Sequence, residues 1–161
     1  MPPLLFYDFT MQEFWNAGRI PAPLTVLVYK RLWQADAKVR SVIPTIPSVT
    51  DYPINTGSDG IWITRDSSSW TSGFWPGVLW QLYDFTGDSY WETQARAWTA
   101  GMEEQKTKTS THDVGFMMYC SYGQGYRLTG DPGYRDILIT AADSLNTRYS
   151  PTVGAMRSWS W

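Results

Sequence analysis

The chain has 161 residues, a net charge of −2 and a pI near 5.3, so it lacks the basic excess that proteins need to follow phosphates. We therefore expect no nucleic-acid partner. A single cysteine, Cys120, and a single histidine, His112, exclude an internal disulfide and the cysteine or multi-histidine metal sites. Because no apolar run is long enough for a bilayer and the N-terminus lacks the features of a secretory signal, we expect no membrane partner and a cytoplasmic rather than a secreted protein.

Aromatic residues make up 16% of the chain, with ten Trp and ten Tyr, whereas charged residues make up only 17%. A chain of this kind either has an unusually aromatic core or presents flat rings to a ligand. Composition alone leaves both interpretations open.

Residues 1–50 form a poorly defined N-terminal segment with one helix, because prolines interrupt the pattern repeatedly and only residues 24–42 are predicted to be helical. Residues 51–69 are rich in Gly, Ser, Asp and Asn, which favour turns. This stretch is predicted to be an exposed loop with a short extended piece at 61–64.

Two apolar stretches further along the chain predict inner helices. Residues 74–85 are apolar nearly all round and residues 114–128 are almost uncharged, so we expect both helices to be buried on all sides. Gly115, Gly123 and Gly125 in the second stretch allow a neighbouring helix to approach closely.

Two further stretches, residues 89–102 and 132–148, carry apolar residues on one face only and predict outer, amphipathic helices. Each follows a Thr-Gly-Asp tripeptide, at 86–88 and 129–131, and the two copies lie 43 residues apart. In such a corner the glycine ends one helix in the left-handed conformation and the aspartate caps the next. Pro132 fits the first position of the second outer helix.

An alternation of inner and outer helices at this period is typical of stacked helical hairpins, in a solenoid or in a closed α/α toroid. The predicted fold class is therefore all-α. Since at least about three such repeats are usually needed for stability, we expect residues 51–161 to be the truncated N-terminal part of a larger array.

The same period predicts a functional rim. Trp70 and Asp113 precede the two inner helices and lie 43 residues apart, so they are expected at equivalent places in successive repeats. The third such place, position 156, lies beside Arg157 near the end of the chain. Helix N-termini carry partial positive charge, which suits an anionic ligand.

Each residue near this rim also has a purely structural interpretation. Asp113 fits a helix N-cap, and a tryptophan such as Trp70 before a buried helix is usually part of the core. The case for a functional His112 rests on its place beside Asp113, and Arg157 fits either a surface arginine or a partner for a substrate carboxylate. Cys120 lies in an apolar context and is expected to be buried and inert.

Four short runs carry a more specific signal, and they occur in order between about residue 52 and residue 161. They are Trp70–Gly77 with the following Leu79 and Trp80, the corner Thr86–Asp88, Thr111–Phe116, and Gly154–Trp159. Together these runs resemble the unsaturated glucuronyl hydrolases, glycoside hydrolase family 88. The His-Asp-x-Gly-Phe pattern at 112–116 best separates this family from the related unsaturated rhamnogalacturonyl hydrolases.

The resemblance implies an (α/α)6 toroid, of which this chain is an incomplete part, and removal of a 4,5-unsaturated glucuronic acid from the non-reducing end of oligosaccharides made by polysaccharide lyases. The implied chemistry hydrates a vinyl ether instead of attacking the anomeric carbon with two carboxylates. An aspartic acid protonates C4, water adds at C5, and the hemiketal opens to release the sugar. The resemblance implies no metal and no organic cofactor.

The resemblance also assigns residues. Asp113 matches one of two family aspartates, His112 its substrate-contacting neighbour, and Trp70 the ring that stacks on the sugar. The aspartate matched by Asp113 tunes the ionisation of the other through like charge. That other aspartate, the proton donor, is expected shortly beyond the segment at Arg157–Trp159, so the 161 residues alone are expected to lack the reaction.

A second interpretation is a non-catalytic carbohydrate-binding or protein-interaction helical repeat with the same aromatic rim. A hydrolase consumes the conjugated double bond of an unsaturated disaccharide, so ultraviolet absorbance falls. A carbohydrate-binding module leaves the absorbance unchanged, and an interaction scaffold binds no sugar.

Overall fold

The computed structural model describes residues 22–159 of the chain, and these are mostly helical. The chain divides into two compact units, residues 1–45 and 46–161. Within the described residues, none of the helices is both long enough and apolar enough to cross a membrane.

The described part of the first unit is one long helix. Helix α1 (Ala22–Val42) is followed by a 3-10 turn (Ile43–Thr45), so the helix predicted at 24–42 is confirmed. The part of the predicted N-terminal segment before residue 22 lies outside the described residues. The division of the chain into regions 1–50 and 51–161 stays a prediction.

The second unit begins with a two-stranded antiparallel sheet. Strand β1 (Tyr52–Thr56) pairs with strand β2 (Trp62–Arg65), and the Gly57 amide donates to the Ile61 carbonyl across the turn at 2.8 Å. The prediction of an exposed loop over residues 51–69 is therefore wrong for β1, whereas the extended piece predicted at 61–64 is confirmed as β2.

Tyr52 gives the physical reason for this difference. Its ring is fully buried, and its hydroxyl donates to the carbonyl of Trp98 at 2.9 Å, 46 residues further along the chain. Burial of the ring also raises the pKa of the Tyr52 hydroxyl well above its usual range, with a smaller contribution from the charge of Glu104. This long-range contact stabilises β1, whereas the local composition of residues 51–69 predicts only turns.

The first helical hairpin follows the prediction. Helix α2 (Phe74–Thr86) is the inner helix and helix α3 (Ser89–Ala100) is the outer one. Gly87 ends α2 with a φ of 65°, and the Asp88 carboxylate caps α3 by accepting from the Tyr90 amide at 2.9 Å. The hairpin is closed inside by Trp80 and Thr99, both fully buried, whose indole nitrogen and hydroxyl are 2.9 Å apart.

The second hairpin repeats this plan with an altered inner helix. Its elements in order are a 3-10 turn (Glu103–Thr107), helix α4 (Val114–Met118), a π-helical turn (Tyr119–Gly123), helix α5 (Gln124–Thr129) and the outer helix α6 (Pro132–Asn146). Gly130 has a φ of 68°, and the Asp131 carboxylate accepts from the Gly133 amide at 2.9 Å. Both Thr-Gly-Asp corners are thus confirmed, and a short hairpin of β3 (Tyr149–Ser150) and β4 (Ala155–Met156) follows.

Side-chain contacts confirm the repeat of 43 residues. The Gln81 amide donates to Gln124 at 3.0 Å, and the Arg127 guanidinium donates to Asp84 at 2.8 Å. The partners in each pair are 43 residues apart, so equivalent positions of the two inner helices lie side by side.

Glycines bring the inner helices together, but mainly from the first of them. A Cβ on Gly73 would overlap the backbone of Met117, and one on Gly77 would lie 2.9 Å from the Cys120 carbonyl oxygen. Of the three glycines predicted to allow close approach, Gly125 does so, since its Cβ would overlap other helices' side chains. The prediction is wrong for Gly115, because a Cβ there would lie 3.8 Å from a Leu145 methyl group, which is ordinary contact. It is also wrong for Gly123, where a Cβ would meet the ring of Tyr119 in the same helical segment.

The inner helices are not buried on all sides, contrary to the prediction. Phe74 and Val78 on α2, and Phe116 and Tyr119 on the second inner helix, are exposed. The inner helices bury the faces that pack against each other and against the outer helices. The apolar side chains on their remaining face stay accessible to solvent.

Candidate active site

Asp113 lies at the N-cap position of α4, yet its side chain makes no capping hydrogen bond to that helix. Its Oδ2 atom instead accepts from the Thr111 hydroxyl at 2.7 Å and from the Trp159 indole nitrogen at 3.3 Å. The Thr111 hydroxyl also accepts from the Asp113 amide at 3.2 Å, which fixes the turn. The simple capping interpretation of Asp113 is therefore not what the structure shows, because the carboxylate is oriented by groups outside the helix.

His112 is held with one ring nitrogen directed at the backbone. Its Nδ1 lies 2.9 Å from the Ser158 carbonyl oxygen, and its backbone amide donates to the same oxygen, also at 2.9 Å. A carbonyl only accepts, so Nδ1 carries a proton. The other ring nitrogen, Nε2, lies 3.6 Å from Oδ1 of Asp113. The ring also packs edge-to-face on Trp159, with centroids 4.9 Å apart.

Two stretches of chain meet side by side to build this arrangement. Thr111 forms an isolated antiparallel bridge with Trp159. Arg148, which is 7% exposed, contacts both stretches, because it donates from Nε to the Arg157 carbonyl at 2.8 Å and from Nη1 to the Thr109 carbonyl.

Trp70 is placed differently from Asp113. It is 53% exposed, so it is not a core residue, and it lies in the turn before α2 rather than at the cap. Its ring meets Phe74 edge-to-face at 6.1 Å, and Phe74 lies 6.2 Å from Phe116, three residues after Asp113. We call Trp70, Phe74 and Phe116 the aromatic cluster.

The turn that carries Trp70 is anchored on both sides. Ser72 is buried and its hydroxyl donates to the Asp66 carbonyl at 2.6 Å. Ser67 hydrogen-bonds Glu104, and Lys108 donates to the Ser68 carbonyl at 2.6 Å. These contacts tie the turn to the segment that leads into Asp113.

Arg157 lines a cavity to which neither His112 nor Asp113 contributes. Its side chain is exposed, and the cavity, of about 720 Å³, lies beside the short β3–β4 hairpin and is also lined by Arg148. Among residues 22–159 its guanidinium has no hydrogen-bond or ion-pair partner, since its contacts are those of its backbone. The expected third rim position, 156, lies in strand β4 and does not precede a helix.

The structure also adds three residues to the site that the sequence did not predict there. Thr111 and Trp159 lie inside recognised runs, but nothing in the sequence pairs one with the other. Arg148 lies outside the runs and carried no signal.

Two further features of the described residues bear on chemistry. Cys120 is only partly buried, and this burial raises the pKa of its thiol, which keeps the sulfur in its less reactive form. Within residues 22–159, no three His, Cys, Asp or Glu side chains are grouped as a metal site would require.

The fold and the site define the class of protein: helical hairpins that form part of an α/α toroid, with an oriented aspartate beside a histidine at one end of an inner helix. No family model matches the chain. Comparison with individual proteins is more informative. Over 94 residues the chain is 48% identical to an unsaturated glucuronyl hydrolase of Formosa agariphila, which covers 58% of this chain and 24% of that protein.

Solved structures of unsaturated glucuronyl hydrolases are also similar to this chain. An unsaturated glucuronyl hydrolase specific for heparin has a TM-score of 0.77 and 35% identity, covering 82% of this chain and 35% of that one. An aspartate-to-asparagine variant of the Streptococcus agalactiae enzyme, in complex with dGlcA-GalNAc6S, has a TM-score of 0.68 and 26% identity over 77% and 33% of the two chains. The chain is thus a homologue of part of the unsaturated glucuronyl hydrolases, glycoside hydrolase family 88, and spans about a quarter of the length of the curated relatives it matches.

Proposed function

We propose that the full-length protein carrying this segment removes 4,5-unsaturated glucuronic acid from the non-reducing end of lyase-generated oligosaccharides. The single observation that carries the proposal is the orientation of Asp113, whose carboxylate occupies a cap position without capping and is held by Thr111 and Trp159. Its homologues are glycoside hydrolases, and one of them binds dGlcA-GalNAc6S.

In the proposed reaction a proton goes to C4 of the unsaturated ring and water adds its oxygen to C5. The resulting hemiketal opens, and the bond to the rest of the saccharide breaks. Asp113 is proposed as the charged partner of a second aspartate that donates the proton, which the resemblance puts outside the described residues. A carboxylate close to another acid disfavours ionisation of that acid, which keeps its proton available for C4.

The other site residues take binding roles in this proposal. His112 directs Nδ1 at the Ser158 carbonyl and Nε2 toward Asp113, and in this proposal Nε2 forms a hydrogen bond with a sugar hydroxyl. Trp70 offers an exposed ring face for stacking on the sugar. Arg157 has a guanidinium with no partner among residues 22–159 and is proposed to pair with the substrate carboxylate.

The decisive experiment uses Asp113→Asn in the full-length protein. The amide keeps the shape of the side chain and removes its charge, so we expect turnover of an unsaturated disaccharide to be lost while the fold is retained. Turnover is followed as the fall in ultraviolet absorbance of the double bond. Asp136→Asn is the matched control, since Asp136 is an exposed carboxylate that bonds only its neighbour Arg135 among the described residues. A rate near that of the wild type for Asp113→Asn would refute the proposal.

The exposed aromatic cluster favours a second candidate, a carbohydrate-binding helical repeat without catalysis. Calorimetric binding of the same disaccharide with constant absorbance would establish this candidate. Binding with falling absorbance would exclude it.

A further inference from the structure

We propose that Arg148 is a positioning residue that aligns Asp113 and His112 by joining the two stretches of chain on which they depend. The inference rests on the proposed function for its kinetic consequence, but not for its structural one. Arg148 follows the last turn of α6 and is buried. Its side chain donates to the carbonyl of Thr109 on one stretch and of Arg157 on the other.

The contacts beyond this link belong to the site itself. The backbone of Arg157 also donates to the Arg148 carbonyl at 2.9 Å, so the second stretch is fixed at its start. One residue further, Ser158 accepts from both the amide and the ring of His112. One more residue on, Trp159 reaches the Asp113 carboxylate. Arg148 therefore joins the two stretches of chain, and the other contacts between these stretches are the ones that orient His112 and Asp113.

Arginine suits this link for a physical reason. Its planar guanidinium donates in several fixed directions at once, whereas a lysine ammonium is a compact charge on a flexible stem. A buried cation also requires hydrogen-bond acceptors, and the two carbonyls supply them. Lysine at position 148 would keep the charge but would not hold both carbonyls at their present separation.

The first test is structural and does not depend on activity. Hydrogen exchange of the Trp159 indole N–H is measured by NMR in the full-length protein, with the signal assigned from Trp159→Phe. We expect Arg148→Lys to speed this exchange about tenfold or more, because the indole loses its fixed acceptor. Arg135→Lys is the matched control, since Arg135 is an exposed arginine outside the site, and it should leave the exchange unchanged. Unchanged exchange in Arg148→Lys overturns the proposal.

The second test is kinetic. A misplacement of about 1 Å costs on the order of a hundredfold in rate, so we expect Arg148→Lys to lower kcat on the unsaturated disaccharide by about that factor. KM should change much less than kcat, because the Arg148 side chain is buried and its donors are directed at two backbone carbonyls. Adding Trp159→Phe should lower kcat by less than the product of the two single losses, since both act through Asp113. Fully multiplicative losses, or a wild-type kcat, would refute the positioning role.

The outcomes separate the two proposals. If the full-length protein leaves every unsaturated saccharide intact, the proposed function fails, and the indole exchange still decides the role of Arg148. If Arg148→Lys does not fold, Arg148→Gln takes its place in both tests, because it keeps one amide donor without a buried charge.

Discussion

The first hairpin, α2 with α3, begins at a glycine that packs closely against the second inner helix. The second hairpin, α4 to α6, begins at an aspartate whose carboxylate bonds residues outside its own helix. Gly73 caps α2, and its missing side chain lets the Met117 backbone approach. Asp113 occupies the N-cap position of α4 without capping it, and its carboxylate is directed to Thr111 and Trp159. At their other ends the two inner helices are alike, since each finishes in a left-handed glycine followed by a capping aspartate.

This difference shows how a repeated scaffold acquires one chemical site. The corners recur because both hairpins have to turn in the same way, and the spacing of 43 residues between paired side chains preserves that register. The N-terminal ends of the inner helices do not have to be alike. The start of α2 supplies close packing and exposed aromatic rings, whereas the start of α4 supplies a charged carboxylate. The two ends of the inner helices should therefore respond differently to substitution.

The largest effect is expected at the tight end of the first hairpin. Gly73 has a φ of −64°, which alanine adopts freely, so only the overlap with Met117 opposes a side chain there. We expect Gly73→Ala to lower the free energy of unfolding by about 3 kcal/mol, because a helix backbone has to shift. Urea denaturation of the full-length protein measures the change.

Gly115 near the start of the second inner helix is the matched control. Its Cβ would meet only Leu145, at 3.8 Å, so Gly115→Ala should raise the free energy of unfolding by about 0.5 to 1 kcal/mol through helix propensity. Equal effects at the two glycines would contradict the proposed difference between the hairpins.

A smaller effect is expected at the aromatic cluster, and it concerns binding rather than folding. Trp70→Ala should weaken binding of an unsaturated disaccharide by about 1 to 3 kcal/mol, on the scale of a lost aromatic contact. Its free energy of unfolding should change by less than about 0.5 kcal/mol, because the ring is exposed. Calorimetry measures the affinity, with Tyr126→Ala as a control at an exposed ring outside the cluster. Unchanged affinity would remove Trp70 from the site.

Substitutions of the two N-cap aspartates of the second hairpin, Asp113 and Asp131, should differ by about 1 kcal/mol in their effect on the free energy of unfolding. The Asp131 carboxylate accepts from the Gly133 amide and also pairs with the partly exposed Arg96, so Asp131→Ala removes a working cap and a weak ion pair and should cost about that amount. Asp113→Asn removes no cap and keeps an acceptor for Trp159, so the cost should stay within about 0.5 kcal/mol. Thermal unfolding of the two variants compares them. A larger loss for Asp113→Asn would mean that Asp113 serves the fold.

Sequence reasoning predicted the recurring parts of this molecule well, because their causes are local. The left-handed glycines and capping aspartates at both corners act within four residues of the chain. It was less successful where the cause is distant. The strand at Tyr52 depends on a contact with Trp98, and the exposure of Phe74 depends on which faces meet other helices.

The site divides in the same way. His112 and Asp113 are neighbours in sequence and were predicted together from their motif, which the structure shows as one arrangement with Thr111. Trp159 contacts Asp113, 46 residues earlier, and Arg148 contacts Thr109, 39 residues earlier. No periodicity in the sequence predicts these contacts. Such pairings are set by the way the chain returns past the 109–113 segment.

The smallest effect is expected where the repeat is most visible. Asp84 and Arg127 form an ion pair at 2.8 Å between equivalent positions of the inner helices, but both side chains are more than 40% exposed. A double-mutant cycle of Asp84→Ala and Arg127→Ala should give a coupling of about 0.2 to 1 kcal/mol, and about 1 M salt should largely remove it. A coupling above about 2 kcal/mol would mean that surface charge sets the register. With the expected small value, the register belongs to the packing of Gly73 and Gly77 against the second inner helix, since those contacts leave no room for a shifted alternative.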